Sequence, residues 1–270
     1  MVSCMDRELN LLVESVREAG ARVLELARLG FDVQTKSDRS PVTTADLEVN
    51  RILHAMQQKY FPEDGWLSEE SPDDPARLER ARVWIVDPID GTRAFIRKLP
   101  EFCISVALIE KGHPLASVIF NPSTDELFSA ARGRGLRVNG KPVVPRSIGT
   151  DSPLVMVSPG EFRSGRWTEL NQRARTSTFH SIAHALTLVA TGRAQAAITA
   201  ETENEWDLAA GVLLIEEAGG LVEDADHRSL TFNQPVPQFT GLLALAGTTD
   251  PHLQPLLRSH VARAGKRATR

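Results

Sequence analysis

Apolar residues recur along the chain with two different periods, and the switches between them divide it into elements. Leu9, Leu12, Val13, Val16, Ala19, Val23, Leu26 and Ala27 fall at three- and four-residue steps, with charged residues mostly between them. This spacing predicts an amphipathic helix over residues 5–28, ending near Gly30. A second stripe, Ala45, Val49, Ile52, Leu53, Met56 and Tyr60, predicts a helix through residue 60 with Thr44 as its N-cap. Residues 61–82 contain Pro62, Gly65, Pro72, Pro75 and an acidic run, and read as a loop. Trp84-Ile85-Val86 opens a β-prone region that continues at residues 102–110, 115–121 and 126–131, which predicts an antiparallel meander. Val138-Asn139-Gly140-Lys141 adds a two-residue hairpin signal.

Beyond a Ser-, Gly- and Pro-containing stretch at residues 147–153 the texture changes. Strand signals at 154–157, 176–179 and 195–199 alternate with helical ones at 164–174 and 182–191, the latter stopped by Gly192. A helix over 206–218 has Gly219 as its stop, and short strands follow near 220–223 and 242–246. Residues 258–270 turn basic and lose the apolar period after Ala262, which reads as a frayed tail. The pattern predicts two lobes: an α+β lobe over residues 1–148 and an α/β lobe over 149–270.

Composition narrows the classes. The 270 residues are 41% hydrophobic and 24% charged, which is ordinary for a globular chain and excludes wholesale disorder. With 31 basic against 35 acidic residues the net charge is −4, so nothing points to a nucleic-acid polymer or a membrane surface as partner. Cys4 and Cys103 supply neither a disulfide framework nor a metal-binding pair, and the acidic start lacks a signal-peptide core; a cytoplasmic location is the expectation.

The chemistry concentrates at Asp87-Pro88-Ile89-Asp90-Gly91-Thr92. A short apolar strand delivers two carboxylates into a turn, and Gly91-Thr92 opens a segment whose first N–H groups lack intrahelical acceptors. Cation ligands and an anion cradle therefore stand within a few residues of each other. Asp87 and Asp90 are hard oxygen donors of the kind that a divalent cation requires.

Thr43-Thr44-Ala45-Asp46, Glu69-Glu70, Asp87-Pro88-Ile89-Asp90-Gly91-Thr92 and Trp206-Asp207-Leu208-Ala209-Ala210-Gly211 together resemble the inositol monophosphatase superfamily of lithium-sensitive phosphatases, over nearly the whole chain. The resemblance implies a layered α-β-α-β-α sandwich of the inositol monophosphatase and fructose-1,6-bisphosphatase type. It also implies a phosphomonoesterase acting on a small phosphorylated metabolite with two or three Mg²⁺ ions, possible homodimer formation and inhibition by Li⁺. Carried onto this sequence, Glu69, Asp87 and the Ile89 carbonyl would hold one ion, and Asp87, Asp90 and Asp207 a second. Asp46 would accept the Thr92 hydroxyl, which with Glu69 orients the attacking water, and the Gly91 and Thr92 N–H groups would bind phosphate.

For substrate, Phe95, Pro100-Glu101-Phe102 and Asn204-Glu205-Trp206-Asp207 look like the branch that removes the 3′-phosphate of adenosine 3′,5′-bisphosphate. Ser181 and His184 then fall where that branch contacts substrate, with His184 in place of a Lys and with Arg193 as a nearby cation. An acid that the inositol branch carries seven residues before Asp207 is here Ala200, and Glu201 would replace it only with a shifted backbone. Inositol-1-monophosphatase, histidinol-phosphate phosphatase and a non-catalytic phosphometabolite-binding protein are the alternatives.

Overall fold

The structure, a computed structural model, describes residues 4–145, 153–163 and 170–268, with side chains from residue 7 to residue 261. In chain order its elements begin with α1 (Cys4–Leu29), the small hairpin of β1 (Val33–Thr35) and β2 (Pro41–Thr43), and α2 (Thr44–Tyr60). Next come β3 (Gly65–Ser68), a 3₁₀ turn (Pro75–Glu79), β4 (Arg82–Asp90), α3 (Thr92–Ile96), β5 (Cys103–Glu110), β6 (His113–Asn121) and β7 (Glu126–Ala131). Then follow β8 (Leu136–Val138), β9 (Lys141–Pro142), β10 (Leu154–Val157), α4 (Pro159–Arg163), β11 (Arg175–Thr178), α5 (Ile182–Ala190) and β12 (Ala196–Asn204). The last are α6 (Glu205–Glu217), β13 (Leu221–Glu223), β14 (Gln238–Leu245) and α7 (Gln254–Ala268).

Two sheets organise these elements. Strands β3 to β9 lie in sequence order, with β3 parallel to β4 and every later pair antiparallel. The second sheet runs β11-β10-β12-β14-β13, parallel across β11-β10-β12 and antiparallel across β12-β14-β13. Strand alternation then dictates the layering. On β4, Trp84 and Val86 pack with Leu12, Val16, Val49 and Leu53 of α1 and α2, while Val83 and Ile85 face α5 and α6. On β14, Leu242 and Ala244 face those same central helices, whereas Leu243 and Leu245 pack against Leu253, Leu257 and Val261 around α7. The result is an α-β-α-β-α sandwich. Both faces of each sheet are covered, which is why the strands read as continuous apolar runs.

The central layer explains the composition of α6. Residues Leu208 to Ile215 are all buried, as expected of a helix apolar on every side. Gly211 allows close approach to α5: a Cβ there would stand 2.4 Å from Leu186 Cδ1. No helix among the described residues is long and apolar enough to cross a membrane.

The meander and the hairpin stand as predicted, with Asn139 and Gly140 at φ 48° and 77°. Three expectations are corrected. Thr43, not Thr44, caps α2, because the Thr43 hydroxyl accepts the N–H groups of Ala45 and Asp46 while Thr44 Oγ1 accepts from Asp32 N. The expected loop over 61–82 contains β3, paired with β4 through Leu67 opposite Ile85. The expected frayed tail is α7, anchored by the buried Leu257 and Val261. Most of the candidate lobe boundary at 147–153 and of the helix expected over 164–174 lies outside the described residues; within the latter, Leu170–Gln172 forms a 3₁₀ turn.

Candidate active site

Three chain segments bring aspartates together around the end of β4. Strand β4 ends in Asp87 and Asp90, both buried. Asp46 and Asp207 arrive from helix starts, and the same local device places each. Both are the third helical residue of a capping box, so one carboxylate oxygen accepts the N-cap N–H: Thr43 N to Asp46 Oδ2 and Asn204 N to Asp207 Oδ2, each 2.7 Å. The other oxygen of each remains for a different partner. For Asp46 that partner is the Thr92 hydroxyl, 3.2 Å from Oδ1; the same hydroxyl lies 3.0 Å from the Ile89 carbonyl.

Asp87, Asp90 and Asp207 form the central group. One carboxylate oxygen from each lies within 4.8 Å of the others. Asp90 Oδ2 accepts the Ser181 hydroxyl and the Ala183 N–H, both at 2.6 Å, so the start of α5 fixes its orientation. Asp87 Oδ1 is buried with no hydrogen-bond partner among the described residues. Burial first, then repulsion from neighbouring acids, pushes Asp87 and Asp207 well above the usual carboxylate range. Burial likewise raises Asp90 to about 7 against the lowering effect of Ser181 and Ala183. A cluster of buried acids with an unpaired oxygen, assembled by capping and a helix start, is an arrangement that divalent cations satisfy. The residues present therefore fit the metal that the sequence implies.

Glu69 stands beside this group rather than within it. Its Oε1 accepts from Lys36 Nζ at 2.8 Å, and Lys36 also reaches Glu70 Oε1 at 2.5 Å. Burial raises the Glu70 carboxyl to about 7 in spite of that contact. Gly91 adopts φ 91°, and a Cβ there would meet the Glu101 carbonyl at 2.8 Å and Ser181 Cβ at 3.1 Å. Only glycine fits this junction without strain. Thr92 opens α3, so its N–H lies among the first helical donors.

The chain matches the family model described as "Inositol monophosphatase family" over residues 5–263. It belongs to the inositol monophosphatase family. An inositol-1-monophosphatase of Rhizobium meliloti (strain 1021) is 36% identical over 81% of this chain and 85% of that protein. A 3′(2′),5′-bisphosphate nucleotidase CysQ of Escherichia coli (strain K12) is 32% identical over 83% of this chain and 93% of its own length. Among solved structures, a Thermotoga maritima IMPase superposes with a TM-score of 0.83 at 24% identity, covering 97% of this chain and 99% of that one. As a family member the protein is a phosphoric monoester hydrolase, and its fold is that of the family.

The side chains named for the substrate have defined surroundings. Ser181, placed by the sequence on the substrate side, has its hydroxyl between Asp90 and the His184 N–H. Burial, then the nearby Arg193, holds His184 below its usual value. Arg193 pairs with Glu126 at 2.9 Å and with Thr191 Oγ1 at 3.0 Å. Phe95 lies in an aromatic cluster between Phe31 and Phe102. The sequence reading also missed Glu203, whose carboxyl burial raises to about 7 and whose field acts on Asp207. A register shift on β12 between Thr199 and Thr202 precedes it, and no sequence pattern announces that shift.

Proposed function

We propose that the protein is a Mg²⁺-dependent phosphatase that removes the 3′-phosphate of adenosine 3′,5′-bisphosphate. The observation that carries the metal-dependent reading is the group of Asp87, Asp90 and Asp207 with the buried, unpaired Asp87 Oδ1. Asp87, Asp90 and Asp207 would hold Mg²⁺, with Glu69 and the Ile89 carbonyl completing a site for two or three ions. Ions held by these residues would supply neutralisation of phosphate charge and activation of water.

The protein's own groups do the positioning. Asp46 is fixed by Thr43 and orients the Thr92 hydroxyl, which lines up the attacking water together with Glu69. The Gly91 and Thr92 N–H groups bind phosphate oxygens at the start of α3. Thr92 is a positioner and forms no covalent bond to phosphorus. Inhibition by Li⁺ belongs to the same reading.

For the substrate, support comes from the Asn204-Glu205-Trp206-Asp207 lead-in and from the likeness to the CysQ nucleotidase. A second reading, inositol 1-phosphate, is favoured by Glu203, an acid near Asp207 able to accept ring hydroxyls, and by the Rhizobium meliloti relative. Catalytic efficiencies for adenosine 3′,5′-bisphosphate, inositol 1-phosphate, histidinol phosphate and fructose 1,6-bisphosphate decide between them. The nucleotide is expected to rank first. A higher kcat/KM for inositol 1-phosphate would replace the nucleotide reading and make Glu203 the hydroxyl acceptor to test.

A further inference from the structure

Asn50 follows Asp46 by one turn of α2, so the two side chains share a face of that helix. Asp46 reaches Thr92, and Asn50 reaches the turn that carries Glu69. The Asn50 amide brackets this turn from both ends. Its Oδ1 accepts the Ser68 hydroxyl at 2.7 Å, while its Nδ2 donates to Ser71 Oγ at 3.0 Å and to the Glu70 carbonyl at 3.3 Å. The turn is tied within itself by Glu70 N to Ser68 Oγ at 3.3 Å, and to β4 by Glu69 N to the Val86 carbonyl at 3.2 Å. Glu69 and Glu70 are thus the two residues enclosed by the Asn50 contacts.

We propose that Asn50 is a positioning residue that sets the Glu69 carboxylate against the Thr92 hydroxyl by pinning the 68–71 turn to α2. The inference rests on the reading of Glu69 and Thr92 as the pair that orients water. One rigid helix then places both members: Asp46 holds the hydroxyl and Asn50 holds the turn bearing the acid. The amide is required because the turn offers a hydroxyl donor at Ser68 and a carbonyl acceptor at Glu70, and only a side chain with both functions answers both. An aspartate of the same shape would face the Glu70 carbonyl with an oxygen and repel it.

The test compares wild type, Asn50→Ala, Asn50→Asp, Glu69→Gln and the double variant Asn50→Ala/Glu69→Gln. Turnover in the presence of Mg²⁺, and backbone amide exchange of the metal-free proteins, are measured for each. Asn50→Ala and Asn50→Asp are expected to lower kcat about tenfold with KM within about twofold, because alignment matters in the transition state. In both, the Glu70 and Ser71 amides should exchange about tenfold faster while those of β4 and α6 keep their protection. On the Glu69→Gln background, Asn50→Ala should add less than about twofold, since the two act through one group.

Normal turnover in Glu69→Gln would overturn the water-orienting reading, and this inference with it. Slow Glu69→Gln combined with wild-type kcat and exchange in Asn50→Ala, or with wild-type behaviour in the isosteric Asn50→Asp, would overturn the Asn50 role alone. Should Asn50→Ala fail to fold, Ser71→Ala removes one Nδ2 acceptor and carries the same comparison, with faster Glu70 exchange supporting the role and unchanged exchange opposing it.

Discussion

Thr92 has a hydroxyl that lies within reach of two acceptors, Asp46 Oδ1 and the Ile89 carbonyl, and this sets its direction without a rotamer choice at the moment of reaction. Thr92→Ala is therefore expected to reduce kcat by about 10²-fold while KM moves by less than about threefold, measured by phosphate release. A weakened KM with intact kcat would make Thr92 a binding contact only. How far such residues can be read from sequence depends on the distance over which their geometry is encoded. Asp46 and Asp207 sit at the third position after Thr43 and Asn204, a capping pattern contained within four residues, although the sequence alone suggests Thr44 as the first cap. The Ser181 bond to Asp90 and the Asn50 bonds to the 68–71 turn join residues far apart in sequence, and no local pattern encodes them.

At the scale of elements, the sharpest constraint is the passage from β4 to α3 through Gly91. Its φ of 91° and the 2.8 Å approach of the Glu101 carbonyl to a would-be Cβ both oppose any side chain. Gly91→Ala should destabilise the protein by about 1–3 kcal/mol in urea unfolding, through backbone strain and displacement of the Glu101 segment. An unchanged midpoint would show that the junction relaxes freely. Long periodic elements such as α1, and the meander β5–β7, were legible because many residues repeat one period. Strand β3 was hidden because four residues between Gly65 and the acidic turn carry too little period to count, and its pairing with β4 is tertiary. Helix α7 was obscured by Pro255 and its basic residues, although Leu253, Leu257 and Val261 repeat at four-residue steps.

On the scale of the whole molecule, buried acids at the junction of the two sheets couple stability to pH and to metal. Asp90 titrates near 7 in the folded protein against an ordinary value of 3.8, so between these pH values the folded chain holds a proton that the unfolded chain has released. Stability of the metal-free protein must then fall as pH rises through this window, and Asp87 and Asp207 add in the same direction. The expected loss between pH 4 and 7 is on the order of 1–4 kcal/mol, and Mg²⁺ should restore more stability at pH 7 than at pH 5 because binding requires ionised ligands. Thermal unfolding with and without Mg²⁺ across this range checks it, and a metal-free protein that gains stability from pH 4 to 7 would oppose it. The central claim, catalysis at the three-aspartate group, is tested most directly by phosphate release from wild type and Asp87→Asn as Mg²⁺ is titrated into chelator-treated protein. The account predicts no release from wild type in chelator, recovery with Mg²⁺, and no recovery at any Mg²⁺ concentration for Asp87→Asn with an unchanged circular dichroism spectrum. Release from wild type in chelator, or near-normal turnover of the variant, would contradict it.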